Sequence, residues 1–204
     1  MKLCVIGGAG ARSAFLTKSL VKSARDIRVD HIVLLDNDQQ KLKTYGEISR
    51  ELSRRLDPDL TFEVTSDARA ALTGVDYIIT TIRAGEDAGR LFDEQTCLAH
   101  GVLGQETTGA GGFAMAIRSV PTLVYYCTLA REVANPGHLI FNFTNPSGII
   151  TQALRSKGFD NVYGICDAPS GFIKQLEALC RTTGTYPFGQ RQFNRVFHAQ
   201  WYNR

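Results

Sequence analysis

Residues 2–13 read KLCVIGGAGARS, and the order of residue types in this stretch predicts how the chain begins to fold. The apolar run at residues 2–6 is typical of a short buried strand, and apolar residues recur at helical spacing over residues 13–25. The glycines between them therefore lie in a strand-to-helix turn. Gly8, Gly10 and Ser13 form a variant of the Gly-x-Gly-x-x-Gly fingerprint of dinucleotide-binding turns, with serine in the last position.

This glycine turn has two interpretations. Glycines allow a tight turn and a close approach to a pyrophosphate, and the following helix start offers free N–H groups. Asp36 ends the next buried run, HIVLLD, 26 residues past Gly10, where about 20 is usual. A carboxylate at that strand tip suits ribose hydroxyls and repels a 2′-phosphate, which favours NAD over NADP. We expect the cofactor to be bound by Gly8, Gly10, Ser13 and Asp36. The alternative is a plain strand–turn–helix with a helix cap.

Strand-like and helix-like patterns alternate along most of the chain. Strand patterns occupy residues 2–6, 31–36, 61–65, 75–82, 138–143 and 161–165, and helical patterns occupy residues 13–25, 38–56, 67–72, 113–134, 147–156 and 170–181. Residues 84–112 are rich in glycine and polar residues and carry no predicted element. Continuous apolar strands that alternate with helices predict an α/β fold, a Rossmann-like parallel sheet with helices on both faces.

The end of the chain differs from the rest. Residues 182–204 have weak periodicity and many Gln, Asn and Arg residues. We predict one NAD-binding domain at residues 1–181, followed at 182–204 by the start of a C-terminal substrate and metal domain or by an altered tail. On this interpretation the chain is truncated before a second α/β portion.

Composition indicates an ordinary globular protein of 204 residues, with 44% hydrophobic and 21% charged residues and a net charge of +3. The basic residues are scattered, so we expect no nucleic-acid partner. Five cysteines, an odd number without a Cys-x-x-Cys pair, favour a reduced cytoplasmic protein. No apolar run approaches the roughly 20 residues of a spanning helix, so we expect no membrane association.

Ligands of open α/β sheets bind outside the carboxyl ends of the strands, and polar residues follow several of the predicted strands. They are Arg83, Arg90, Glu106, Thr107, Thr108, Asn142, Thr144, Asn145, Cys166 and Asp167, with His198 further along. Asn145 lies in the turn NFTNPSG, where it either contacts a sugar or acid hydroxyl or only forms an Asx-turn. Cys166 is either a buried free cysteine or a thiolate ligand that forms an open metal site with His198.

With these residues assembled, the chain resembles the N-terminal half of a family-4 glycoside hydrolase of the 6-phospho-β-glucosidase type. The matching stretches run in family order over about residues 2–172. They are GGAGARS, LLDND, TTIRAG, GVLGQETTGAGGFAMAIRSVP, FNFTNPSGI and GICDAP. This family is an NAD-dependent exception among glycosidases, most of which act through two carboxylates.

The resemblance implies hydrolysis of 6-phospho-glycosides by an oxidative route. The sugar's C3 hydroxyl is oxidised by hydride transfer to NAD⁺, which acidifies the C2 proton. A divalent metal, typically Mn²⁺, stabilises the resulting enediolate. A base removes the C2 proton, the C1 leaving group is eliminated, water adds back and the hydride returns to C3. The implied partner is a phosphorylated disaccharide or glycoside, and a homo-oligomer is expected for the full-length form.

The resemblance also implies roles for individual residues. Cys166 matches the family's cysteine metal ligand, and Asp167 falls where some members keep the proton donor. Asn145 and Arg90 match substrate-contacting positions, and Glu106 matches a carboxylate that supports the base and the metal region. His198 is the nearest candidate for the second metal ligand, although the residues that precede it depart from the family pattern. The family's tyrosine base should lie beyond this chain.

Two other functions stay open on the sequence. A 2-hydroxy-acid dehydrogenase of the lactate or malate type shares the sheet and an Asn-Pro turn, but it needs a late histidine and no metal-binding cysteine. An NAD-binding remnant without turnover fits a chain that lacks the tyrosine.

Overall fold

The computed structural model describes residues 1–183 of the chain. Within this range six strands form one sheet, namely β1 (Lys2–Ile6), β2 (His31–Leu35), β3 (Thr61–Thr65), β4 (Tyr77–Thr80), β5 (Leu139–Asn142) and β6 (Val162–Gly164). Every neighbouring pair is parallel, and the strand order is β3-β2-β1-β4-β5-β6. All six predicted strands are confirmed. The order is that of a Rossmann sheet, whose topological switch point lies between β1 and β4.

Alternate residues of the central strands pack on opposite faces of the sheet. Cys4 and Ile6 of β1 belong to one buried cluster, whereas Leu3 and Val5 belong to the other. The same alternation holds along β2. Because both faces are covered, these strands carry unbroken apolar runs instead of an apolar–polar alternation.

Helices connect the strands on both faces. They are α1 (Ser13–Ser23), α2 (Gln39–Lys41), α3 (Glu47–Leu56), α4 (Ala68–Leu72), α5 (Glu86–Ala99), α6 (Gly109–Val133), α7 (Ser147–Ser156) and α8 (Ala168–Thr183). The helix predicted at residues 38–56 is continuous but changes character, because a π-helical turn at Leu42–Gly46 separates α2 from α3. A Cβ on Gly46 would lie 2.5 Å from Val64 Cγ1, so the glycine lets this turn lie close against β3.

Helix α5 was missed by the sequence pattern, which left residues 84–112 without a regular element. Gly85 and Gly89 suggested a loop, but both make room for a side chain of α6. A Cβ on Gly85 would lie 2.8 Å from Arg118 Cδ, and one on Gly89 would lie 2.6 Å from Arg118 Nη1. Arg118 also donates to the carboxylate of Asp93, which lies in α5. Packing against α6 therefore stabilises α5 as a helix, although the composition of residues 84–112 predicted no regular element.

Helix α6 is long and apolar enough to cross a membrane by length and composition, and it is the one such helix in residues 1–183. Leu123, Cys127 and Ala130 of this helix are buried in a core cluster of the sheet. Core packing therefore accounts for one face of this helix, whereas Phe113, Ile117 and Tyr125 are exposed on it. The expected absence of a membrane partner stays a prediction.

The chain divides into two compact units, Met1–Ile165 and a second that begins at Cys166 and contains α8. The first unit holds the whole sheet and helices α1–α7. The domain boundary predicted after residue 181 stays a prediction, because most of the segment 182–204 lies outside the described residues.

Because the Cys4 thiol is buried, we expect the protein to lose stability at alkaline pH. Burial raises the pKa of Cys4 from 9.0 to about 12, and nearby Lys2 lowers it by less. Below pH 9.0 the thiol is protonated in both the folded and unfolded chains. Between pH 9.0 and about pH 12 the Cys4 thiol ionises only in the unfolded chain. This thiol therefore lowers the free energy of unfolding by about 1.4 kcal/mol per pH unit.

Cys4→Ala is expected to remove this contribution and flatten the slope of unfolding free energy against pH. Urea unfolding from about pH 8 to about pH 10.5 measures it, over the window in which the free thiol ionises. Val5→Ala is the matched control, because it truncates a neighbouring buried side chain that has no proton to lose. Equal slopes for Cys4→Ala and the parent chain would contradict the prediction.

Candidate functional site

The glycine turn lies after β1, at the switch point of the sheet. The N–H groups of Gly7 and Gly8 both donate to Leu35 O, at 2.9 and 3.0 Å. A Cβ on Gly8 would lie 2.9 Å from Leu34 Cβ, whereas one on Gly10 would meet nothing within 4 Å. Gly8 is therefore required for packing of the turn against β2, and Gly10 faces open space where a ligand can approach the backbone.

Ser13 stabilises the same turn through hydrogen bonds to its backbone. Its hydroxyl donates to Gly10 O at 2.6 Å, its N–H donates to the same oxygen at 2.9 Å, and its side chain is buried. These contacts give Ser13 a role in shaping the loop. The predicted contact between Ser13 and a cofactor stays a prediction.

Asp36 connects the tip of β2 to the glycine turn. One carboxylate oxygen accepts from Ala9 N at 3.1 Å, and the other accepts from Asp38 N at 3.1 Å. Two backbone donors fix the orientation of this half-buried carboxylate without saturating its lone pairs. It can still accept hydrogen bonds from a diol at the strand tip.

The residues present fit a dinucleotide. Within the part of the chain that the structure describes, no protein acceptor meets the N–H groups of Gly10, Ala11 and Arg12, which lead into α1. Unpaired donors at a helix start, together with the open face of Gly10, form a site suited to a pyrophosphate. Asp36 lies on the side where the adenosine ribose of such a ligand would lie.

The turn after β5 is organised by a buried amide. Asn142 is fully buried, and its Oδ1 accepts from Thr80 Oγ1 at 2.9 Å and from Thr144 N at 3.2 Å. Its Nδ2 donates to Thr151 Oγ1 at 3.1 Å and to Ser147 O at 3.3 Å. The expectation that Asn142 and Thr144 face a ligand is therefore wrong, because both are consumed in holding the turn.

Asn145, in contrast, is only partly buried and reaches across to the loop before α6. Its Nδ2 lies 3.3 Å from Thr107 Oγ1 and 3.5 Å from Glu106 Oε1. Gln105 Oε1 accepts from Thr107 N and Thr108 N, each at 2.7 Å, and so holds the backbone that carries Glu106. The structure thus brings together two of the predicted site residues, Asn145 and Glu106.

Glu106 is the most unusual carboxylate of the site. Its side chain is 19% exposed, and Oε2 is buried without a hydrogen-bond partner among the described residues. Arg83 Nη2 lies 3.5 Å and Arg90 Nε 3.9 Å from that oxygen, close enough for ion pairing. The result is a carboxylate oxygen stabilised by charge, with capacity left for a further donor or cation.

Arg90 is held on α5 between two carboxylates. Its Nε donates to Glu94 at 2.7 Å, and this bond, with the nearby charge of Glu106, raises the pKa of the guanidinium. Arg83 similarly donates to Asp87 at 2.9 Å. Both guanidinium groups are partly exposed, so each can exchange a carboxylate partner for an incoming anion.

Several residues of this site carried no usable sequence signal. Asp93 and Arg118 fasten α5 to α6 and so position Arg90, but an isolated acid and an isolated base on separate segments predict no pairing. Gln105 belongs to the motif GQETTG, whose polarity indicated a site without showing which member supports the backbone.

Cys166 and Asp167 open the second compact unit, and both side chains are exposed. The alternative of a buried, hydrophobic Cys166 is therefore wrong. His198 lies outside the described residues. Within residues 1–183 no group of three or more His, Cys, Asp or Glu side chains is arranged to hold a metal. The metal roles of Cys166 and His198 stay predictions.

A parallel sheet in this order, with a glycine turn at its switch point, defines a Rossmann-type protein. The chain belongs to the family 4 glycosyl hydrolases, whose family model matches residues 2–182. This confirms the resemblance and favours a glycosidase over the hydroxy-acid dehydrogenase alternative.

Curated relatives include glycosidases for both anomers. The chain is 35% identical to the 6-phospho-beta-glucosidase BglT of Thermotoga maritima, with 86% of this chain and 41% of the relative covered. It is 34% identical to the phospho-alpha-glucosidase PagL of Clostridium acetobutylicum, with 82% and 38% covered. The chain thus spans about two fifths of the length of these relatives.

A solved structure shows the same fold. The Thermotoga maritima 6-phospho-beta-glucosidase with manganese, NAD⁺ and glucose-6-phosphate matches with a TM-score of 0.78 and 33% identity, over 88% of this chain and 43% of that one.

Proposed function

We propose that this chain is the cofactor-binding portion of an NAD- and Mn²⁺-dependent hydrolase of 6-phospho-glycosides. One observation carries the proposal. The open glycine turn after β1 lies at the same sheet edge as the cluster of Asn145, Glu106 and Arg90 around the tips of β4 and β5. A sugar beside that cluster would lie next to the nicotinamide end of a dinucleotide seated on the turn.

The roles of the residues follow from their chemistry. When bound, NAD⁺ would accept and return a hydride at the sugar's C3, and a divalent metal would polarise the C2 and C3 oxygens. Asn145 would donate to and accept from a sugar hydroxyl. Arg90 would release Glu94 and bind the anionic 6-phosphate, since a guanidinium pairs well with phosphate oxygens.

The acidic residues have separate tasks. Glu106 would support the base and the metal region, using its buried Oε2, which has no hydrogen-bond partner among the described residues, to accept a further hydrogen bond or a cation. Asp167 would donate the proton to the leaving oxygen. The proposed metal ligands are Cys166 and His198, a thiolate and an imidazole that leave coordination positions for sugar oxygens.

The wider setting is also proposed. The described cysteines are free thiols, which supports a reducing, cytoplasmic location. A homo-oligomer stays the expectation for the full-length form. Because both 6-phospho-beta- and phospho-alpha-glucosidases are relatives, the proposed substrate class is phospho-glucosides of either anomer.

Turnover distinguishes the three candidate functions. The proposed hydrolase releases the aglycone from aryl 6-phospho-glucosides in the presence of NAD⁺ and Mn²⁺ without net formation of NADH. A hydroxy-acid dehydrogenase accumulates one NADH per turnover and does not need a metal. The chain spans 41% of a curated relative, so NAD binding without turnover is the second candidate, and binding without hydrolysis would support it.

Cys166→Ser is expected to lower the affinity for Mn²⁺ by at least about tenfold, because a neutral hydroxyl replaces an anionic ligand. NAD⁺ affinity should be unchanged. The signal of free Mn²⁺ in paramagnetic resonance measures the first quantity, and calorimetric titration measures the second.

Cys166→Asp is the matched variant, since it restores an anionic ligand of the oxygen type that Mn²⁺ accepts well. We expect it to recover part of the Mn²⁺ affinity. Unchanged Mn²⁺ binding in the serine variant, or loss of NAD⁺ binding with it, would contradict the metal role.

A further inference from the structure

An ion pair spans the glycine turn from one side to the other. Lys41 ends α2, beyond the tip of β2, and Glu86 begins α5, beyond the tip of β4. These two strands flank β1, so their tips lie about 10 Å apart. Lys41 Nζ nevertheless lies 2.8 Å from Glu86 Oε1, and 3.3 Å from Asp38 Oδ2. The pair therefore crosses the sheet edge beside the turn that follows β1.

The backbone of Glu86 favours this arrangement. Glu86 has φ +53°, a left-handed conformation that is rare for a residue with a side chain. It follows Gly85, which has φ +82°. Two successive left-handed residues thus stand at the start of α5, where the Glu86 carboxylate meets Lys41.

While this pair is closed, the Lys41 ammonium is not available to an anion at the turn. Three carboxylates belong to this region, those of Asp36, Asp38 and Glu86. The Lys41 ammonium is paired with the carboxylates of Asp38 and Glu86. The bond to Glu86, followed by that to Asp38, raises the pKa of Lys41, so the ammonium stays charged at neutral pH. Lys41 is 39% and Glu86 66% exposed, and pairs of such exposure are weak and exchangeable.

We propose that Lys41 is a cofactor-binding residue, whose ammonium leaves Glu86 and pairs with the pyrophosphate of the bound dinucleotide. The inference rests on the dinucleotide site of the proposed function. A ligand that extends from Asp36 across Gly10 towards β4 runs along the sheet edge in the same direction as the pair, from the side of β2 to the side of β4. A doubly charged pyrophosphate there attracts the ammonium more strongly than the single exposed carboxylate does.

Substitutions of the two partners are expected to change NAD⁺ affinity in opposite directions. Lys41→Met removes the cation and should weaken NAD⁺ binding about fivefold. Glu86→Gln frees the cation and removes a repelling carboxylate, so it should strengthen binding about threefold. Calorimetric titration at low ionic strength measures both, and added salt should reduce both effects.

If the pair served only to hold the two loops together, both variants would weaken NAD⁺ binding, and that outcome would overturn the inference. Glu132→Gln is the matched control. Glu132 lies on α6 and forms a similarly exposed ion pair with Arg69 of α4, at 2.7 Å. This variant should leave the affinity unchanged. ADP tests whether the contact lies outside the nicotinamide half: Lys41→Met should weaken ADP binding at least as much as NAD⁺ binding, because the diphosphate of ADP carries more negative charge.

An effect on NAD⁺ but not on ADP would place Lys41 at the nicotinamide half and overturn the assignment to the pyrophosphate. If the parent chain binds neither ligand, the dinucleotide site itself is wrong and the inference falls with it. Opposite effects of the two variants, with unchanged thermal unfolding, support the assignment.

Discussion

Gly10→Val is expected to weaken NAD⁺ binding by about 100-fold, or ~2.8 kcal/mol, while the fold survives. A Cβ at Gly10 meets nothing within 4 Å, and the residue does not have a left-handed backbone, so valine is tolerated in the free protein. The branched side chain would instead occupy the space through which a pyrophosphate approaches the turn. Calorimetric titration measures the loss, and thermal unfolding without cofactor should match that of the parent chain.

Gly8→Ala is expected to give the opposite pattern at the preceding glycine of the fingerprint. Its Cβ would lie 2.9 Å from both Leu34 Cβ and Val5 O, so the turn must move away from β1 and β2. Overpacking of this kind costs about 2 kcal/mol of unfolding free energy. If Gly10→Val lowered stability as much as Gly8→Ala does, or bound NAD⁺ as the parent does, the open face of Gly10 would not be a cofactor site.

Asn142→Leu is expected to lower the free energy of unfolding by about 4 kcal/mol, a large share of the total for a small domain. Leucine fills a similar volume but leaves buried groups of Thr80, Thr144 and Ser147 without their partner. Each unpaired buried group costs about 1–3 kcal/mol. Urea unfolding at neutral pH measures the change.

Asn145→Leu is the matched control for this prediction. The two asparagines differ in burial, because Asn145 is only partly buried and its amide has two long contacts, at 3.3 and 3.5 Å. We expect a change in unfolding free energy below about 1 kcal/mol. Equal losses for the two variants would show that the buried network around Asn142 does not hold the turn.

Local patterns were sufficient for most of the fold. Strands buried on both faces need apolar residues at every position, and the sequence shows such runs at residues 2–6 and 31–36. The glycine turn was equally predictable, because the glycines at positions 8 and 10 lie between a strand pattern and a helix pattern that are contiguous in the chain. The cap of α4 by Asp67 is equally local, since Asp67 Oδ1 accepts from the N–H of Ala70, three residues on.

The candidate site was only partly predictable. The pattern named Asn145, Glu106 and Arg90, because polar residues at strand ends mark the ligand edge of an open sheet. It did not separate Asn142, which is consumed by internal hydrogen bonds, from Asn145, which is not. Both are asparagines near the end of one strand, and the structure shows that Asn142 is the one that bonds Ser147 and Thr151 of α7.

The sequence by itself determined the alternation of strands and helices, the glycine turn and the family, since each depends on residues that are close together in the chain. Only the tertiary structure decided that α5 is a helix, that Glu106 lies between two arginines and that Lys41 reaches Glu86. These features join segments up to 45 residues apart. Pairings of that kind depend on how strands and helices pack, which the local order of residue types does not encode.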